Sequence, residues 1–88
     1  MTDQDNEKSA VDQVRDIISQ LKEMHHYSKT NIEKLGEFWL LFEEEFKQKE
    51  DAGKVETLLN HQNAFHDTLE ETISDFEIEC NRIENEEE

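Results

Sequence analysis

A heptad stripe runs through the first half of this chain without a skip: Val11, Val14, Ile18, Leu21, His25, Ser28, Ile32, Leu35, Trp39, Phe42 and Phe46 alternate steps of three and four. Val55, Leu58, Gln62, Phe65, Leu69, Thr72, Phe76, Glu79 and Ile83 repeat the pattern. That alternation is the period of a helix whose apolar seam faces other helices. Proline is absent and Gly36 and Gly53 are the only glycines, so the turn chemistry that a sheet of short strands needs is missing. The expectation is an all-α protein, a long antiparallel helical hairpin.

Its boundaries follow from capping chemistry. Residues 1–8 read as an acidic, frayed tail. Ser9 and Asp12 have the spacing of a helix start, and helix one is expected over 9–50. Residues 51–53 form the turn, because Gly53 takes a left-handed conformation at little steric cost. Helix two is expected over 54–84 and a second acidic tail over 85–88, all within a single helical domain. A second reading breaks helix one at 28–30, where Thr30 and Glu33 have the spacing of a capping box. The unbroken heptad phase through that site favours a continuous helix.

Folding the chain about residue 52 sets Trp39 by Phe65, Leu35 by Leu69, Ile32 by Thr72 and Ile73, and Ser28 by Phe76. The predicted core is therefore Ile32, Leu35, Trp39, Phe42, Phe46, Phe65, Leu69, Ile73 and Phe76, with Phe38 beside it. In that register the first twenty residues or so extend past helix two and leave an uncovered stripe. Contiguous exposed apolar surface commonly marks an interface. The expected self-association surface is Val11, Val14, Ile17, Ile18, Leu21, Met24, Phe38 and Leu41. One flanking column of helix one is basic at its start (Arg15, Lys22) and acidic at its end (Glu43, Glu50). Two antiparallel copies would neutralise each other, which predicts a homodimer forming a four-helix bundle.

Charge narrows the partners. The net charge is −15, and from Asp67 onward Arg82 is the only base. Direct binding to nucleic acid or to an anionic membrane needs clustered Lys and Arg and is disfavoured. A protein partner with a basic surface fits instead. Glu56, Glu70, Glu77 and Glu84 fall in one heptad column with Asp67 and Glu71 beside them, an acidic ridge that such a partner could meet. Two alternatives use the same features: an inhibitor or regulator that mimics nucleic acid with this ridge, and an obligate coiled-coil subunit of a larger hetero-complex.

The longest apolar run, Phe38 to Phe42, is far too short to span a bilayer. The first ten residues are acidic and polar where a secretory leader is basic and then apolar. The lone Cys80 has no partner for an internal disulfide, and Cys80 reads as a small core residue. Together these place the protein in the cytoplasm, with the nucleus as the alternative.

No glycine-rich loop, nucleophile elbow or other catalytic motif occurs, so no enzyme activity and no cofactor are expected. His25, His26, His61 and His66 raise the question of a metal. No two of them are four apart within a helix, and the predicted register carries His25 towards Glu79 and Cys80. A polar core layer of His25 with Ser28, which fixes register at some cost in stability, is the expectation, with no metal site.

Overall fold

The Ser9 hydroxyl accepts a hydrogen bond from the Asp12 amide at 3.1 Å, in the extended backbone conformation of a helix cap. From this start the chain is helical almost throughout in a computed structural model that describes residues 9–87. Helix α1 spans Ala10–Leu40 and continues without interruption into one widened π turn, Leu41–Glu45. Helix α2 spans Lys49–Glu87. The expected tail at 1–8 and the final Glu88 lie outside the described residues. Helix α1 is not broken at 28–30. The Thr30 hydroxyl donates to the His26 carbonyl one turn back, so it serves the continuous helix rather than starting a new one.

The bend sits earlier than the glycine suggests. The chain reverses over residues 46–48, and Lys47 adopts a left-handed φ of 55°. The Phe46 and Gln48 amides reach back to the Leu41 and Phe42 carbonyls, both at 2.8 Å, which satisfies the last turn as a left-handed cap does. Residues 51–53, the expected turn, lie inside the first turns of α2, and Gly53 has no positive φ. Helix two therefore begins at 49 rather than 54 and runs beyond 84, through residues expected to be a tail.

Burial accounts for this choice. A left-handed non-glycine residue costs about 1–2 kcal/mol. The earlier bend lengthens α2 enough to reach back over the start of α1, where Val11, Ile18, Leu69, Ile73 and Cys80 form the buried core with Val14, Leu21 and Ile83 against it. Each such side chain contributes about 1.5–3 kcal/mol when fully buried. Glu50 and Asp51 also stand in the first turn of α2, where negative charge favours the helix dipole.

The result is a slab of 61 × 25 × 14 Å. A helix with its side chains is about 10–12 Å across, so the hairpin is one layer thick. A stable core ordinarily needs two packed layers.

Candidate functional site

Three features are built along the seam between the helices. The first is a charge ladder on one edge. Arg15 forks onto Glu84, with Nη2 and Nε at 2.5 and 3.2 Å from its two oxygens, and Nη2 also donates to Asn81. One heptad inward on both helices, Lys22 pairs with Glu77 at 2.8 Å. The Arg15 hydrogen bond holds the Glu84 carboxyl below its ordinary value, and Glu84 in turn raises Arg15. On the outer face of α2, Arg82 binds Glu79 and Glu86 and lowers Glu79 in the same way.

This ladder corrects two expectations. Arg15 and Lys22 are engaged inside the chain, not free to orient a partner copy through Glu43, and Glu43 itself lies 3.7 Å from Lys49 across the bend. Glu77 and Glu84, two of the four acids in the column of the expected outward ridge, face α1, while Glu70 approaches His25. Of the expected ridge, Glu56, Asp67 and Glu71 are exposed, and Glu70 is exposed beside His25. The stripe expected to need a partner is covered as well: Val11 and Ile18 are buried, and Val14 and Leu21 pack against the same core.

The second feature is a polar layer. Ser28 is buried to 2% exposure inside the seam. Its hydroxyl accepts from Gln62 Nε2 at 2.9 Å and bonds His66 Nδ1 at 3.1 Å. The His66 ring stacks on His25 with centroids 4.1 Å apart, and His25 Nε2 lies 3.3 Å from Glu70 Oε2. The expected register is thus wrong by about three turns of helix: Ser28 meets Gln62 and His66 rather than Phe76, and His25 meets His66 and Glu70 rather than Glu79 and Cys80. Moving the bend from 52 to 47 shifts every partner by about ten residues. His66 stands among the histidines that raise the question of a metal, but its partners could not be assigned, because it lies off the heptad stripe and meets Ser28 and His25 only in the true register.

The third feature is an apolar groove between the polar layer and the bend, about 650 Å3 in volume. Met24, Tyr27, Leu35 and Phe38 of α1 and Leu58 and Phe65 of α2 form its walls. Tyr27 is 60% exposed, Leu58 56% and Phe65 45%. Of the predicted core, Leu69 and Ile73 are buried and Ile32, Leu35, Trp39 and Phe42 are half-buried. Phe38, Phe46, Phe65 and Phe76 are exposed instead. One seam between two helices cannot receive every apolar column, and around Ser28 and Gln62 the polar layer occupies it. Ile17, Met24 and Leu41 of the expected self-association surface are exposed, as is Glu50.

Among the described residues no helix is long and apolar enough to cross a membrane. The arrangement is a two-helix hairpin with an uncovered apolar face, and no family model, curated protein or solved structure matches the chain.

Proposed function

We propose that this chain is a non-catalytic helical interaction protein that pairs with a second copy of itself, apolar face to apolar face, into a four-helix bundle. The observation that carries this reading is the uncovered groove in a slab one layer thick. Ile17, Met24 and Phe38 follow a heptad column on α1, and Leu58 and Phe65 sit one heptad apart on α2. Two such faces present matching columns, and the second copy supplies the layer that the hairpin lacks. The half-exposed side chains contribute on the order of 1 kcal/mol each, or on the order of 10 kcal/mol from both faces. Association costs at least about 4 kcal/mol, so the dimer's dissociation constant is expected to be no tighter than tens of micromolar.

The remaining outward acids, Glu56, Asp67 and Glu71, would then form the surface offered to a basic protein partner. Salt separates the two contacts. Pairing of two chains of charge −15 is opposed by repulsion and strengthens as salt rises from about 0.1 to 0.5 M, whereas a basic partner is lost over the same range.

Light scattering over a concentration series tests the pairing. The wild type should approach twice the monomer mass above its dissociation constant. Phe38→Glu should remain monomeric with undiminished helicity, because Phe38 is half-exposed in the hairpin. A wild type that stays monomeric at millimolar concentration, or a Phe38→Glu variant that still pairs, would overturn the proposal.

A further inference from the structure

We infer that His25, His66 and Glu70 form a binding site for a divalent transition-metal cation of the zinc type, which clamps the two helices together at the polar layer. The three residues each turn a ligand atom to one place, all within 4.8 Å of one another. His66 and Glu70 stand one turn apart on α2, and His25 crosses from α1. Two imidazoles and a carboxylate are a donor set that suits this class of ion. The separation of His25 Nε2 and Glu70 Oε2, 3.3 Å, is already close to the edge of a tetrahedron with bonds of about 2.0 Å.

Two further observations point to a ligand. His25 Nε2 is buried and makes no hydrogen bond: Glu70 Oε2 lies 3.3 Å away, but off the line that a hydrogen bond requires. A buried polar atom left this way is costly, and a cation between the two groups would satisfy both. The second is the Ser28–Gln62 pair behind His66. With Gln62 donating to Ser28, the same hydroxyl oxygen can also accept from His66 Nδ1–H. That tautomer frees the lone pair of Nε2 for a metal, the orienting role that outer residues play around metal-bound histidines.

The surroundings suit a fourth ligand from solvent. A cavity of about 290 Å3 beside the site is lined by His25, Glu70, Ser74, Lys22 and Glu77, and Lys22 is held by Glu77 rather than competing for the cation. Three protein ligands with one open position are a familiar zinc arrangement. The imidazole planes now lie 25° apart, so ligation opens the stack until the two lone pairs converge. The net charge of −15 raises the local concentration of any cation.

Calorimetric titration of the tag-free full chain with zinc chloride tests the site, with cobalt absorption reporting ligand geometry. The expected result is one zinc per chain and a rise in melting temperature on binding. His66→Gln and Glu70→Gln should each weaken binding by more than the loss from Ser28→Ala, which should be about 10-fold to 100-fold. His26→Gln and His61→Gln, which alter exposed histidines outside the cluster, should leave affinity unchanged. Circular dichroism identifies any variant that unfolds, and His25→Gln then takes its place. Absent binding at millimolar zinc, a loss that follows His26 or His61, or one zinc per two chains would each overturn the site.

Discussion

Lys47 holds the bend at a φ of 55°, a conformation that glycine adopts without penalty and lysine does not. Lys47→Gly relieves about 1–2 kcal/mol of strain against about 0.5–1 kcal/mol of extra glycine entropy lost on folding, so it should raise stability by up to about 1 kcal/mol, visible as a higher melting temperature, while a β-branched residue there should lower it. The Arg15–Glu84 pair makes a prediction with a definite sign. Glu84 titrates below its ordinary value of 4.5 because Arg15 hydrogen-bonds its carboxylate. Its stabilising contribution is present above that ordinary value and disappears as pH falls through the depressed folded value. Wild type and Glu84→Gln should differ in melting temperature at about pH 6, and the difference should shrink as pH falls below the ordinary value of 4.5. The Ser9 cap was readable in advance from a serine three residues before Asp12. The pairing of His25 with His66 was not, since it depends on a register that no local pattern encodes.

At the level of elements, the two helices and their antiparallel sense were legible because the three-four period is strong and nothing interrupts it. The bend was not. Gly53 reads as a natural helix end, yet the gain from covering Val11 and Ile18 exceeds the cost of one left-handed lysine, and the acids at Glu50 and Asp51 mark the true helix start. An added Cβ at Gly53 meets nothing within 4 Å, and glycine inside a helix costs about 0.8–1.0 kcal/mol relative to alanine. Gly53→Ala should thus stabilise the hairpin by about that amount in denaturant unfolding, whereas a turn at residues 51–53 would make the same change destabilising. The aromatic residues near the bend were misplaced for a related reason: heptad counting assigns every stripe residue to a seam without asking what already fills it. Gln62 meets Ser28 where Phe76 was expected, and Phe65, expected beside Trp39, is left exposed.

For the molecule as a whole, the charge expected on the outer face is partly internal. Glu77 and Glu84 bind α1, so the acidic surface is narrower than composition implies and its reading as a mimic of nucleic acid loses half of its column. The exposed apolar face, by contrast, is larger than one seam explains, which makes the single-layer thickness the dominant property of the fold. The slab's dimensions also govern how that layer would be detected in flow. A body 61 Å long and 14 Å thick that doubles by stacking gains mass and thickness without gaining length, and becomes less anisotropic as it does so. Its friction would rise more slowly than its mass, so elution volume would understate the change and sedimentation would register it in full.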